Sequence, residues 1–267
     1  MNGTDGGLAH APLMFVFLDI SSLPRHRRLL EDVLRLRVIE NQFHPPHDHH
    51  GLVKYDAGGT IIGINLFAER KFRKAVADGA TLMCRTGLGP DELARLDDFG
   101  GRSGGLFTDV DGHHYGFEHA PPGDGGLTTE VDHLVLVVAD LAESVAYYGS
   151  VLGLRLLDRD GTSARFGTGT IDLVLRQGTS APDGRPLRYD ACLPVFYTAD
   201  VVAAEAELSA RGLRTRGLGF SDIGGTARFT DPSGHVLCLY QPSAESLAWG
   251  SGQKVMELMT SAPRAHR

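Results

Sequence analysis

Apolar positions along the chain fall in short runs, separated by glycine-rich breaks, with a helical stretch between some of them. HLVLVVAD (His133 to Asp140) is a nearly continuous apolar run rich in β-branched residues, which predicts a buried strand. LAESVAYYGSVLG follows with apolar residues at helical spacing and stops at Gly153, a natural helix terminator. LRLLD, SARFG and GTIDLVLR then read as three strands joined by glycine-rich turns. The order restarts with LPVFYTAD as a strand, VVAAEAELSARG as a helix ended by Gly212, and LRTRG, TARFT and GHVLCLYQP as strands. The pattern is βαβββ, twice. LMFVFLDI through HHYGFEHA repeats this order in the first half, with a weaker helix at PDELARLDDFG.

The two halves also share residues. VLRLRVIE (Val33 to Glu40) matches VLGLRLLD (Val151 to Asp158), Gly59-Thr60-Ile61 matches Gly169-Thr170-Ile171, and TDVDGHH (Thr108 to His114) matches TDPSGHV (Thr230 to Val236), in the same order. An internal repeat of this kind means one architecture used more than once. The expected fold is α+β, with curved mixed sheets built from βαβββ modules. Residues 10–120 and 131–243 are expected to be two paired-module domains, each a cup. PPGDGGLTTE, within 121–130, has the Pro and Gly content of an exposed linker. Residues 244–267 form a tail; its amphipathic KVMELM could dock, but fraying is the expectation.

Composition narrows the function. With 267 residues, 42% hydrophobic and 22% charged, the chain is an ordinary globular protein able to bury a core. The 34 glycines suit many short strands. A net charge of -7 argues against a nucleic-acid surface, and the short basic run Arg25 to Arg28 reads as a solvated helix face. No apolar stretch is long enough for a membrane span, and MNGTDGGLAHAP lacks the order of a signal peptide. Three widely spaced cysteines, Cys84, Cys192 and Cys238, suit a reducing, cytoplasmic setting. Cys192 has no His or basic neighbour in sequence to activate it, and Cys84, although Arg85 follows it, is not read as an activated thiol either. No glycine-rich phosphate loop of the usual spacing is present, so neither nucleotide nor flavin is expected.

VDHLVLVVADLAESVAYYGSVLGLRLL, followed by TARFTDPSGHVLCLYQP, resembles the vicinal oxygen chelate superfamily, which holds glyoxalase I, bleomycin-binding proteins, fosfomycin-resistance transferases and type I extradiol dioxygenases. The resemblance implies that paired βαβββ modules curl into open cups. It implies too that any metal sits on inward-facing residues of the first and last strand of each module. Carried over by position, the C-terminal cup offers His133, Asp172, Leu193 and Cys238; the N-terminal cup offers Phe15, Ile62, Thr81 and Gly116, which is no ligand set. Asp172 stands where similar enzymes place a Glu, Leu193 where a His is expected, and Cys238 where the family's Glu usually stands. A dioxygenase iron site needs two His and a carboxylate on one face, so ordinary extradiol cleavage does not fit.

Strand alternation places His133, Val135 and Val137 on one face; it does the same for Asp172, Val174 and Arg176, for Leu193, Val195 and Tyr197, and for Cys238 with Tyr240. Together they would make an apolar pocket with a few polar groups, with Val135, Arg176, Leu193 and Val195 against the substrate. In one reading His133, Asp172 and Cys238 hold a divalent metal (Fe, Zn or Mn) that polarises a substrate oxygen. In the other, which is preferred, no metal binds; His133 is a general base oriented by Asp172, and Tyr197 or Tyr240 donates to a developing oxyanion. The plainer alternative makes Cys238 a small core residue, His133 a satisfied strand histidine and Arg176 the partner of Asp172. The loop FHPPHDHHG, with His44, His47, His49 and His50, reads as a solvated insertion with incidental metal affinity.

The expected function is that of an enzyme acting on a small oxygenated organic molecule by isomerase, lyase or related proton-transfer chemistry. The first alternative is a protein that sequesters a small molecule, as bleomycin-binding proteins do; the next is a divergent extradiol-type dioxygenase. A small-molecule ligand and a homodimer formed through sheet edges are the expected partners.

Overall fold

The computed structural model describes residues 8, 11–42, 50–67, 77–120, 126–180, 184 and 186–260. The first module runs β1 (Leu13–Ile20), α1 (Leu23–Arg27, extended by a π-helical turn over Arg28–Val33), β2 (Arg37–Asn41), β3 (His50–Asp56) and β4 (Ile61–Phe67). After the short β5 (Ala77–Asp78), the second runs β6 (Ala80–Thr86), α2 (Pro90–Ala94), β7 (Gly100–Ser103), β8 (Leu106–Asp109) and β9 (His114–His119). The third is β10 (Thr129–Val138), α3 (Leu141–Ala146), β11 (Arg155–Arg159), β12 (Ser163–Gly167) and β13 (Asp172–Gln177). β14 (Leu187–Arg188) precedes the fourth: β15 (Cys192–Tyr197), α4 (Val201–Ala210), β16 (Thr215–Ser221), β17 (Gly224–Thr230) and β18 (Val236–Pro242). Two helices close the described chain, α5 (Ala244–Leu247) and α6 (Gly250–Thr260).

The sequence starts its helices with recognisable chemistry. Asp140 and Asp200 cap α3 and α4, their carboxylates accepting backbone N–H groups of the first turn. Gly153 and Gly212 follow with φ of 75° and 96°, conformations in which a side chain would be strained.

The modules assemble into two eight-stranded mixed sheets, and here the expected domain plan fails. The first sheet has the order β16-β17-β18-β15-β1-β4-β3-β2, so it joins the first module to the fourth. The second has the order β11-β12-β13-β10-β6-β9-β8-β7 and joins the third module to the second. Residues 10–120 and 131–243 are therefore not self-contained cups; each sheet takes one module from each half. In every module the first strand pairs in parallel with the last, as β1 does with β4 and β10 with β13. That leaves the other edge of each first strand open. It is closed antiparallel by a first strand from the opposite half, β1 by β15 and β10 by β6. All four modules present the same kind of edge, so the repeat alone does not select the partner.

The repeated TDxxGH turns stitch the two sheets together. In one, the Asp109 carboxylate accepts backbone N–H bonds from Asp111 (2.9 Å) and His113 (3.0 Å), and His113 Nε2 reaches across to the Asp19 carbonyl at 2.8 Å. In the other, Asp231 accepts from the backbone of His235 (2.7 Å), and His235 Nε2 bonds the Val137 carbonyl at 2.8 Å. Between them lies a single core with side chains from both sheets and the helices, including Leu18, Tyr55, Leu82, Tyr115, Leu134, Tyr148, Phe166, Phe196 and Leu239.

The tail is the second correction. Residues 244–260 do not fray. Val255 of α6 is buried against Met14, Phe15, Ile61, Val195 and Cys238 on the outer face of the first sheet, with Leu247 and Leu258 beside it. The amphipathic pattern legible around KVMELM supplies the apolar stripe that makes this docking favourable. Charges fix its register. Lys254 Nζ lies 3.2 Å from the buried Asp56 carboxylate, and Glu40 accepts from both Lys54 Nζ (2.8 Å) and the Ser251 hydroxyl.

Candidate functional site

The split of the modules divides the residues expected to share one pocket. His133, Val135, Asp172 and Arg176 belong to β10 and β13 of the second sheet; Leu193, Val195, Tyr197, Cys238 and Tyr240 belong to β15 and β18 of the first. Within each sheet the alternation holds. Val195 pairs with Cys238 and Tyr197 with Tyr240, while His133 pairs with Asp172 and Val135 with Val174. The error lay in joining the two groups.

The first-sheet group is core beneath α6. Cys238 is 3% exposed, and burial pushes its thiol up to about 11, away from the thiolate that binds metals. The Tyr240 hydroxyl donates to the Ile223 carbonyl (2.7 Å) and meets Ser246 Oγ (3.1 Å), so it braces the β18–α5 corner rather than offering a free donor. Leu193 and Tyr197 pack against the same cluster. Across the strands at the level of Phe15, the residues are Ile61, Phe15, Val195 and Cys238. The carried-over Ile62 lies on the opposite face, in the main core.

The second sheet keeps its polar residues on the face away from its helices. Ala164, Phe166, Leu173 and Leu175 point into the core, so Arg165, Asp172 and Val174 point the other way. The register sets one row across four strands: Asp172, His133, Met83 and Gly116. The next row holds Val174, Val135, Thr81 and His114. A β-bulge between Val131 and His133 adds Asp132 to the polar face, and bulges commonly re-aim side chains in this way. His133 Nδ1 donates to Asp132 at 2.8 Å. Arg165 Nε donates to Asp172 at 2.5 Å, and its Nη2 lies 3.9 Å from Asp132. The result is a continuous chain, His133–Asp132–Arg165–Asp172. The hydrogen bond from His133, helped by the nearby cationic charges, holds the Asp132 carboxyl below its ordinary range. The side chains of His133 and Arg165 are 21% and 43% exposed, so solutes reach them.

Asp132 and Arg165 were not singled out from sequence. Strict alternation puts Asp132 opposite His133, and only the bulge reverses that. Arg165 did leave a signal: it alternates with the core residues Ala164 and Phe166. Asp172 thus has Arg165 as its hydrogen-bonded partner, and Arg176, four residues further along β13, is exposed.

A divalent metal does not fit these residues. The proposed ligand Cys238 lies in the other sheet, and the row through His133 and Asp172 continues with Met83 and Gly116. Met83 packs where a Cβ of residue 116 would stand, filling that position with a thioether. The Asp172 carboxylate already binds a guanidinium, whose charge repels a metal cation. Among the described residues no group of three or more His, Cys, Asp or Glu is placed to hold a metal. Of the histidine-rich loop, His44, His47 and His49 lie outside the described residues.

Two sheets, each made of two βαβββ modules joined through their first strands, define a vicinal oxygen chelate fold. Residues 130–239 match the family model Glyoxalase/Bleomycin resistance protein/Dioxygenase superfamily. The whole chain superposes on glyoxalase I from Zea mays with a TM-score of 0.66 at 15% identity, covering 96% of this chain and 97% of that one. At that identity the likeness is one of fold. Single-domain structures match a portion of the chain. The antibiotic binding protein TnmS3 from Streptomyces sp. CB03234 is 29% identical over 43% of this chain and 96% of its own (TM-score 0.37). Lactoylglutathione lyase from Agrobacterium tumefaciens is 20% identical over 45% of this chain and 95% of its own (TM-score 0.36). No curated protein matches the chain. Among the described residues no helix is long and apolar enough to cross a membrane.

Proposed function

We propose that the protein is an enzyme acting on a small oxygenated organic molecule, held against the polar face of the second sheet, with proton transfer by His133. The observation that carries this is the 2.8 Å hydrogen bond from His133 Nδ1 to Asp132. Asp132 fixes the ring and its tautomer, which leaves Nε2 as the proton acceptor, and it stabilises the imidazolium that forms. His133 takes a proton from a carbon next to a substrate carbonyl and returns it to a neighbouring atom, which is isomerase or lyase chemistry. Val135, Val174 and Met83 supply the apolar surface beside it. Asp132 replaces Asp172 as the orienting carboxylate of the sequence-based expectation. No step requires a metal.

His133→Gln is expected to lower turnover by roughly 10²–10⁴-fold while leaving substrate affinity within a few-fold, measured on a substrate found by mass spectrometry of metabolite mixtures incubated with the protein. Unchanged turnover would remove His133 from the chemistry. A second reading, sequestration without turnover, draws on the commitment of the Tyr240 hydroxyl to Ile223 and Ser246, which takes away an expected oxyanion donor. Stoichiometric binding with no product, in wild type and variant alike, would establish it instead.

A further inference from the structure

We infer that two copies of this chain pair through the outer edge of β16, antiparallel, about a two-fold axis at Gly219. The dimer expected at a sheet edge thereby gains a particular edge, a register and a pair of charge contacts. None of these depends on the role of His133.

Four strands end the two sheets: β16 and β2 on the first, β11 and β7 on the second. An exposed edge is a template for another strand, and proteins blunt it with charge, a bulge, brevity or a cover. β2 has a bulge between Val38 and Glu40, and Glu40 is engaged by Ser251 of α6. β11 carries Arg155, Asp158 and Arg159 and is bulged as well. β7 is four residues long and contains Arg102, which donates to Asp97 at 2.7 Å. β16 differs. Its bulge falls at Arg216 and Gly217, and Leu218 to Ser221 then run regularly along β17 with no charged residue among them. Leu218 is 39% exposed and Phe220 is 67% exposed, with Ile223 of the adjoining turn at 44%. Among the described residues no strand pairs with the outer side of β16.

A second copy fits this edge because RGLGFSD (Arg216 to Asp222) complements itself when reversed. With Gly219 opposite its own copy, Leu218 faces Phe220, Gly217 faces Ser221 and Arg216 faces Asp222, each pair occurring twice. Opposite charges therefore meet at both ends of an apolar centre, and such cross-strand pairs favour one register. Arg216 and Asp222 are both exposed. Arg216 Nη2 donates to Thr230 Oγ1 at 3.0 Å, and a guanidinium has further N–H groups for a carboxylate. The backbone agrees with this register. Ser221 and Gly224 close a two-residue hairpin, the kind of pair that exchanges hydrogen bonds, so Leu218 and Phe220 turn their N–H and C=O groups outward. The Gly219 carbonyl turns inward and meets Thr226 Oγ1 at 3.5 Å. Leu218 and Phe220 then bond the same two residues of the other copy. Their side chains lie on the face covered by α4: Leu218 pairs with the core residue Ala227, and the Phe220 ring lies over Gly225 beside Val201. Pairing extends that apolar layer from one copy into the next and takes Phe220 out of water.

Sedimentation equilibrium of the full chain, from about 1 to about 300 µM, tests the pairing. Wild type is expected to dimerise with a Kd on the order of 10 µM, as suits a small interface. Phe220→Lys should weaken this at least about 10-fold, since it sets two cations at the centre of the apolar contact. Its thermal unfolding should match wild type, because the side chain it replaces is exposed in the monomer. Leu156→Lys, on the edge strand β11, should leave the affinity unchanged. Arg216→Asp and Asp222→Arg should each weaken the dimer, and the two together should restore it to within a few-fold of wild type. Gly219→Cys reads the register directly. Opposed residues of a non-hydrogen-bonded pair have Cα atoms about 4.5 Å apart, within disulfide range, so mild oxidation should link two copies through this position. The native Cys84, Cys192 and Cys238 are buried. A dimer that survives Phe220→Lys, a double charge exchange that fails to restore affinity, or Gly219→Cys that does not cross-link overturns the inference. A wild type that stays monomeric throughout also overturns it, and leaves this edge to an extended segment of another protein.

Discussion

Asp109→Ala is expected to lower the unfolding free energy by about 3–5 kcal/mol, because it removes one partner from a buried set of charges and leaves the others uncompensated. Asp109 is 5% exposed. Its carboxylate accepts from the backbone of Asp111 and His113, from His26 Nε2 at 3.2 Å and from the Tyr115 hydroxyl at 3.4 Å. His26 also lies 3.4 Å from Asp111, and His113 Nδ1 donates to Asp78 at 2.9 Å. These residues come from α1, β5 and the β8–β9 turn, and His113 reaches on to Asp19 of β1. The cluster therefore joins the two sheets, and its loss is felt by the whole fold. Urea denaturation of wild type and variant measures the difference.

The same cluster gives stability a pH signature. Burial alone would lower the His113 pKa, but the charge of Asp109 and the hydrogen bond to Asp78 outweigh it and lift the value from 6.5 to about 9. Burial alone would raise that of Asp109, but His113 and His26 pull it from 3.8 to about 2. A raised histidine stabilises the fold fully below 6.5, and this contribution, about 3 kcal/mol, fades as pH climbs through 9. A depressed carboxyl stabilises it above 3.8 and is lost as pH falls through 2. Wild type is thus expected to weaken on going from about pH 6 to about pH 9, and Asp109→Ala to show a shallower decline, because the main charge that lifts His113 is gone. Equal slopes for the two proteins would show that His113 is not held in its charged form.

Val255→Asp is expected to cost roughly 3–5 kcal/mol or to detach α6 outright, since it places a carboxylate among Met14, Phe15, Ile61, Val195 and Cys238. Val255 is 1% exposed. Met256 is its neighbour on the same helix at 47% exposure, so Met256→Asp should stay within about 0.5 kcal/mol of wild type. Detachment has a chemical reporter as well. Cys238 lies under the helix and is protected both by burial and by its raised pKa. Thiol labelling under native conditions should be slow in wild type and in Met256→Asp, and fast at Cys238 in Val255→Asp. Slow labelling and full stability in Val255→Asp would mean that α6 does not cover this face of the sheet.

The sequence by itself determined the modules. The apolar run LVLVV, the strand ARF and the helix stops at Gly153 and Gly212 are local signals; each reflects backbone geometry within a few residues and appears as read, whereas the TDxxGH segments were legible only as a match between the halves. His133 and Asp172 were legible for the same reason, because side-chain facing along one strand follows from period two. What the tertiary structure decided is everything that needs a partner far along the chain. β1 takes β15 and β10 takes β6, which parts Cys238 from His133; four similar strand edges carry no local mark of which two will meet. The bulge that turns Asp132 onto the polar face is a property of the pairing of β10 with β6. Arg165 became the partner of Asp172 through the register of β12 against β13, and α6 found its place because the first sheet offered an apolar face that no local pattern displays. Hydrogen-bond closure of strand edges and burial of apolar surface act over the assembled molecule, and they made one sheet a packed core and left the other with its polar cluster open to solvent.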